Sequence, residues 1–276
     1  MAAPSTYVKV SGTYKKVNKM YTRVSGSWKE INSAYVRAGG VWKRIHTRAV
    51  GNDSFTKILL HMDGSNGGTT FTDTNAGGSA HTWSASSATT STTSPKFGTA
   101  AGLFSAGQIS TSDSADFTLG SGAWTVDFWM HRNGNGAPGS PMGIAAQWGN
   151  NPSGAAANSI LIEMGTTSLV TCTISNGSTV EAVSAGALPS NNAWHHIAFV
   201  RSGNDMISFM NGTLVSTNSL GSYTIPNSSE LFRIGAPGSV PSRINYTGFL
   251  DEFRLSVGIA RWTSSFTPEV VAYGPG

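Results

Sequence analysis

The segment Trp194-His-His-Ile-Ala-Phe-Val-Arg201 restricts the fold of this chain more than any other. In a strand, Ile197 and Phe199 point to one side and Ala198 and Val200 to the other, so both faces are apolar. A strand of that kind belongs inside a sheet covered on both sides, not at an edge. Ser202-Gly-Asn-Asp205 follows as a turn cluster, then a second apolar run, Met206-Ile-Ser-Phe-Met210, then Asn211-Gly212. Asn-Gly beside apolar runs is a strong short-range signal for a two-residue hairpin turn. The pattern predicts two consecutive hairpins around a buried central strand.

The rest of the chain agrees with an all-β fold. Charged residues are only 12% of the 276, glycines number 33, and Ser, Thr and Asn are abundant. No stretch places apolar residues at helical spacing. No run approaches the ~20 apolar residues of a membrane span, and Met1-Ala-Ala-Pro4 lacks a basic-then-apolar signal region. The expectation is a protein that stays where it is made or leaves by a route other than secretion. Cys172 is the only cysteine, which excludes an intrachain disulfide, and in Leu169-Val-Thr-Cys-Thr-Ile174 it is expected to be a small buried strand residue.

Charge divides the chain. Residues 1–50 carry ten Lys/Arg against one acid, Glu30, a net +9; residues 51–276 carry eight bases against thirteen acids, a net −5. Such a break marks separate modules, 1–50 and 51–276. The first is a repeat of period 14: Tyr7-Val-Lys-Val-Ser-Gly-Thr-Tyr-Lys-Lys, Tyr21-Thr-Arg-Val-Ser-Gly-Ser-Trp-Lys-Glu, Tyr35-Val-Arg-Ala-Gly-Gly-Val-Trp-Lys-Arg. Two-residue turns at Ser11-Gly12, Ser25-Gly26 and Gly39-Gly40 give three hairpins, expected to join as a small antiparallel β-meander. One face then pairs cations with aromatics: Lys9 with Tyr14, Lys16 with Tyr21, Arg23 with Trp28, Arg37 with Trp42. The other is aliphatic and carries Val10, Val17, Val24, Ile31, Val36 and Ile45. Six short strands cannot leave that face wet, so it is assigned to attachment or oligomerisation, with copies of the chain or another protein as partner. A nucleic-acid platform is disfavoured, because the aromatics have cross-strand partners and no nucleic-acid motif is present.

Four ordered segments carry a resemblance. Trp194–Arg201 with its turn and Asn211-Gly212, Ala123-Trp-Thr-Val-Asp-Phe-Trp-Met130, Gly248-Phe-Leu-Asp-Glu-Phe-Arg-Leu-Ser256 with Gly258-Ile-Ala-Arg-Trp262 and Phe266-Thr-Pro268, and Leu59-Leu-His-Met-Asp-Gly64 with Lys96-Phe-Gly98 resemble the laminin-G-like, concanavalin A-like jelly-roll family over residues 55–270. The resemblance implies a jelly-roll β-sandwich for 51–276. The 14-residue repeats resemble segments of bacteriophage tail and fibre proteins. Within the sandwich, His81-Thr-Trp83 is expected as a short strand and Ser84 to Pro95 as a polar loop.

Jelly rolls host glycosidases as well as lectins, so carboxylates come first. The retaining glucanases of this fold carry Glu-x-Asp-x-x-Glu on one strand, and no such stretch is present. Asp251 and Glu252 are adjacent, so strict alternation sends them to opposite faces. No catalytic residues are expected. His195 and His196 are separated by the same argument and cannot share an ion. Asp63 and Asp251, on two strands that adjoin in such modules, are the candidate ligands of a structural calcium, which wants six to eight oxygens. Trp83, Trp148, Tyr246 and Trp262 are candidate sugar-stacking rings, with Trp148 placed in an exposed Gly/Asn/Pro loop. The expected function is that of a phage virion protein, a tail-fibre or receptor-binding subunit made in the host cytoplasm, homo-oligomeric and most readily trimeric, recognising host glycan or protein. A capsid decoration protein and a bacterial carbohydrate-binding surface protein are the alternative readings.

Overall fold

The structure, a computed structural model, describes residues 7–10, 13–16, 20–31, 33–47, 50–133, 139–149, 158–166, 169–187 and 190–275. The chain divides into two compact units, residues 52–268 and residues 1–51 with 269–276. The last eight residues therefore group with the first unit and not with the sandwich.

In the first unit, β1 (Tyr7–Val10) pairs with β2 (Thr13–Lys16), β3 (Tyr21–Val24) with β4 (Ser27–Glu30), and β5 (Ser33–Ala38) with β6 (Val41–Thr47). Cross-strand partners include Lys9 and Tyr14, Arg23 and Trp28, and Arg37 and Trp42. Ser25-Gly26 and Gly39-Gly40 all have positive φ, the type I′ geometry that suits strand twist. Each hairpin is a two-stranded sheet of its own. A continuous meander would need ladders from one hairpin to the next, and none is found among the described residues. Two-stranded ribbons twist more strongly than wider sheets, which works against alignment of their outer edges. Val17 lies outside the described residues, as do the side chains of Val10, Val24 and Ile45. Ile31 is half-buried, and Val36 is exposed, as are Tyr21 and Tyr35 from the other face.

The second unit is a sandwich. After β7 (Gly51–Asn52) come β8 (Thr56–Leu60), β9 (Ser84–Ser91), β10 (Ala101–Thr111) and β11 (Trp124–His131). Then follow β12 (Met142–Gln147), β13 (Ile160–Met164), β14 (Leu169–Ser175) and β15 (Val180–Ala187). Strands β16 (Trp194–Ser202), β17 (Asp205–Met210), β18 (Thr213–Ser219), β19 (Phe232–Ile234), β20 (Ile244–Asn245) and β21 (Thr247–Val257) complete it; β22 (Gly274–Pro275), among the last eight residues grouped with the first unit, forms a two-stranded sheet of its own with β7. One layer runs β18-β17-β16-β11-β21, with β8 on the far side of β21; the other runs β15-β14-β13-β12-β19.

Strand β10 belongs to both layers. Gly102–Ser105 pair with β21, and Ile109–Thr111 pair with β19. The chain turns the corner at Ala106, which has φ 61°, while Gln108 faces both Ser86 and Ser87 of β9. That double pairing is a β-bulge, the usual device for bending a strand between sheets. The polar stretch expected as a loop after Trp83 is thus strand β9, held along most of β10. Ala88 and Thr90 point inward there, and residues this small give little hydrophobic signal.

Side chains from the facing surfaces of the two layers form the main core, including Phe128, Phe199, Phe253 and Leu255 from one and Ile162, Cys172, Ile174 and Val183 from the other. The Cys172 thiol is fully buried, and burial pushes its pKa well up, which suppresses the reactive thiolate. The central strand β16 lies between β11 and β17, with Ile197, Ala198, Phe199 and Val200 all buried. Asn211 and Gly212 have φ 52° and 77° and close the β17–β18 hairpin. A Cβ on Gly212 would collide with the Phe266 carbonyl oxygen, whereas Gly203, in the preceding turn, has open space around it. Gly212→Ala is expected to destabilise the protein by about 3 kcal/mol and Gly203→Ala by about 1 kcal/mol, as clash adds to left-handed backbone strain only at the former. Urea unfolding of the two variants checks the ranking.

Candidate functional site

The outer face of the β18-β17-β16-β11-β21 layer carries a cluster of buried charged residues. Register sets it: Asp127 stands beside Ala198 and Arg254, and Trp129 beside His196 and Asp251. Asp127 accepts from Arg254, Nε to Oδ1 at 2.9 Å and Nη2 to Oδ2 at 3.1 Å, and Oδ2 also meets His196 Nε2 at 3.2 Å. All three are buried. Burial alone would raise the Asp127 carboxyl; the Arg254 charge and the His196 ring overcome it and hold it well below the ordinary carboxylate range.

A strap of residues 258–268 seals this cluster. Trp262 and Phe266 stack in parallel at 3.9 Å, both ring edges meet His196, and the Arg254 guanidinium lies 5.6 Å from the Trp262 ring. Arg261 ties the strap down through Asp53 and Ser256, and the Phe266 N–H donates to the Gly212 carbonyl.

Beside the strap, β21 is bulged. Glu252 has φ 49° and is the extra residue opposite β11, so strict alternation fails here. Asp251 and Glu252 are both buried, and the strict alternation expected to part them to opposite faces is interrupted at this bulge. Glu252 Oε1 meets His61 Nδ1 at 2.6 Å; burial lowers the His61 pKa, and the Glu252 hydrogen bond and charge more than reverse it. Asp251 accepts the N–H groups of Lys96, Phe97 and Glu252. Burial, aided by the Glu252 charge, nonetheless pushes its pKa well up. Asp63 accepts the Thr99 and Ala100 N–H groups and the Thr99 hydroxyl, and any Cβ on Gly98 would collide with that carboxylate. The two candidate calcium ligands thus grip opposite ends of the 96–100 loop. Both Asp251 oxygens and Asp63 Oδ1 accept N–H or O–H donors, and among the described residues no group of three or more His, Cys, Asp or Glu is placed to hold a metal ion.

Where the strap ends, a half-buried aromatic and basic surface begins. Lys96 Nζ sits 3.7 Å from the centre of the Trp129 ring, and Phe97 meets that ring edge-on. Two residues along the same face, His131 packs between Trp194 at 5.4 Å and Phe249 at 5.6 Å. Lys96, Phe97, His131 and Trp194 are each partly open to solvent. At the rim, His195 meets Ser190 and Asn211; its pKa is lowered first by burial and further by the charges of His131 and Lys96, against the Ser190 hydrogen bond.

With that geometry in place, a laminin G family profile described as the concanavalin A-like lectin/glucanases superfamily matches residues 103–258, more than half of the chain. The chain belongs to that superfamily. No curated protein matches it in sequence. Among solved structures it is similar to the binding domain of botulinum neurotoxin serotype D/C (TM-score 0.55, 14% identity, 73% of this chain and 48% of that one). The binding domain of Paraclostridial Mosquitocidal Protein 1 gives 0.55, 9%, 77% and 49%, and botulinum neurotoxin DC bound to rat synaptotagmin II gives 0.55, 13%, 75% and 49%. At these identities the likeness is one of fold, and the chain spans about half the length of those structures. No helix among the described residues is long and apolar enough to cross a membrane.

A sugar-stacking ring in this superfamily needs an open face, and three of the rings singled out from sequence lack one. Trp148 is 2% exposed and packs with Ala146, Leu161 and Val240; it leaves β12 directly into a second small core and not into an exposed loop. Trp83 is buried edge-on against Phe232. Tyr246 is fully buried, its hydroxyl donating to the His131 carbonyl. Trp262 belongs to the strap. Two partly open rings outside the strap, Phe97 and Trp194, lie inside segments that sequence marked as structural; Phe97 packs on Trp129 and Trp194 on His131, two residues apart on one face of β11.

Asp127, held low, stabilises the fold fully above the unfolded carboxylate pKa of about 4. That contribution is lost as pH falls through the folded value. Asp251, held high, has the opposite sign: it contributes in acid and is lost as pH rises through its folded value. Asp127→Asn is expected to cost about 3–5 kcal/mol at pH 7, removing the carboxylate that the buried Arg254 faces, and clearly less at pH 2. Urea unfolding at both pH values checks it; a penalty independent of pH would show that Asp127 is not held ionised.

Proposed function

We propose that the chain is a non-catalytic binding and structural subunit of a bacteriophage virion, in which the jelly roll recognises a host-surface glycan or protein and the N-terminal hairpins attach or oligomerise it. The observation that carries the binding reading is the partly open aromatic and basic surface of Lys96, Phe97, His131 and Trp194 beside a sealed face. Against catalysis stands the use made of the acids. Glycoside hydrolysis needs two carboxyl groups about 5–10 Å apart across an open cleft. Here Asp127 is closed under the strap, Asp63 and Asp251 hold backbone N–H groups, and Glu252 holds His61. The toxin binding domains of similar fold, one bound to synaptotagmin II and one to SialylT, support a recognition role for the same scaffold. The virion assignment, and with it synthesis in the host cytoplasm, rests on the 14-residue repeats and their likeness to phage tail and fibre segments.

Labelled full-length protein is expected to adhere to intact host bacteria without releasing reducing sugar from them. Sugar release abolished by Glu252→Gln would replace this reading with a hydrolase. For the N-terminal module, Ile31→Asp together with Val36→Asp places two unpaired carboxylates on the aliphatic face, and a fall from oligomer to monomer is expected in native mass measurement. An unchanged mass would remove that face from the interface.

A further inference from the structure

The open end of the outer face contains two polar atoms that the protein itself does not satisfy. Trp129 Nε1 and His131 Nδ1 are both closed off from solvent, and neither has a hydrogen-bond partner. They belong to residues two apart on one face of β11, opposite His196 and Trp194. Trp129 is 7% exposed, and buried polar atoms left without partners are uncommon in folded proteins because their desolvation is uncompensated.

The groups around them are aromatic and cationic. Lys96 rests on the Trp129 ring and lies 5.4 Å from the centre of Phe97, while Trp194 and Phe249 flank His131. Of the acids nearby, Asp251 and Glu252 are buried, Asp251 on backbone N–H groups and Glu252 against His61, while Asp63, exposed at the far end of the 96–100 loop, holds the Thr99 and Ala100 N–H groups. The surface therefore offers apolar ring faces, an ammonium, and imidazole and indole nitrogens, with the carboxylates of Asp251 and Glu252 buried and engaged and that of Asp63 turned to the Thr99 end of the loop. Pyranose rings match such surfaces because one face is C–H and the rim is hydroxyl, and a carboxylate on the sugar matches the ammonium.

We propose that this face binds a saccharide carrying a carboxylate, with the sugar ring against the Phe97–Trp129–Trp194 surface and its carboxylate paired with Lys96. Lys96 is the long, flexible member of the group. Its ammonium, drawn from the Trp129 ring to the ligand carboxylate, uncovers the indole, so that a sugar oxygen accepts from Nε1–H and another group meets His131 Nδ1. The assignment rests on the reading of the chain as a surface-binding subunit and names the ligand class for it.

The test is titration of ¹⁵N-labelled full-length protein with sialyllactose, trigalacturonate, lactose and acetate. The Trp129 indole resonance, identified by its loss in Trp129→Phe, is expected to shift with both acidic sugars. Lactose should bind about tenfold more weakly or worse, and acetate should leave the resonance in place. Lys96→Met keeps the aliphatic stem, removes the charge and is expected to weaken binding of both acidic sugars about tenfold. The assignment is overturned if lactose binds as well as sialyllactose, if acetate alone reproduces the shift, if the Trp129 resonance stays still while sugars bind, or if Lys96→Met binds normally. If neither acidic sugar binds while the protein still adheres to host cells, the binding reading stands and the ligand class assigned here falls.

Discussion

The carboxylate of Asp127 lies out of reach of solvent between Arg254 and His196, residues from the two strands that flank its own. A buried ion pair is tolerable only with close geometry and its remaining hydrogen-bonding capacity met. That requirement spreads outward. It specifies the register of β16, β11 and β21, since a one-residue slip would send the three groups to the wrong face. It also requires a cover. Trp262 and Phe266 supply one, and the cover is anchored at Arg261 and at Gly212, where only a residue without a side chain lets the strap approach. The closing segment of the sequence is thus a lid for a charge cluster as well as the end of a strand.

Two bulges decide what the remainder of that face looks like. At Ala106 the bend lets one strand serve both layers, so the sandwich has a continuous corner. At Glu252 the extra residue places two adjacent carboxyl groups under cover together, one turned to His61 and the other to the 96–100 loop. By gripping that loop, Asp251 and Asp63 bring Lys96 and Phe97 over Trp129. Asp251 and Glu252 are thereby engaged with the 96–100 loop and His61, and the Lys96, Phe97, His131 and Trp194 side chains are left partly open beside them.

Much of this architecture was legible in the chain before any coordinates. The two-faced apolar strand at Trp194–Arg201 and the turn at Asn211-Gly212 announced the central hairpins, because a pleated strand exposes alternate residues to opposite sides and only a few dipeptides favour the left-handed turn. The 14-residue period and the charge break near residue 50 marked a separate module. Strands β9 and β10 were not legible, since Ser84–Ser91 is short of large apolar side chains and Ala101–Thr111 changes layers midway, so neither keeps one alternation along its length. Its partners, and not its own composition, make such a segment a strand.

Side chains show the same division. From sequence alone, His195 and His196 must point apart, and Cys172 must sit in a strand; local backbone geometry suffices for both. That Trp148 is covered, that Asp251 and Glu252 share a bulge, and that Lys96 reaches Trp129 all depend on segments tens to hundreds of residues distant. Periodicity states which residues oppose each other across a strand. Which of the two faces is sealed, and by what, is decided only when a strap from residues 258–268 folds over one end of the layer and stops short of the other.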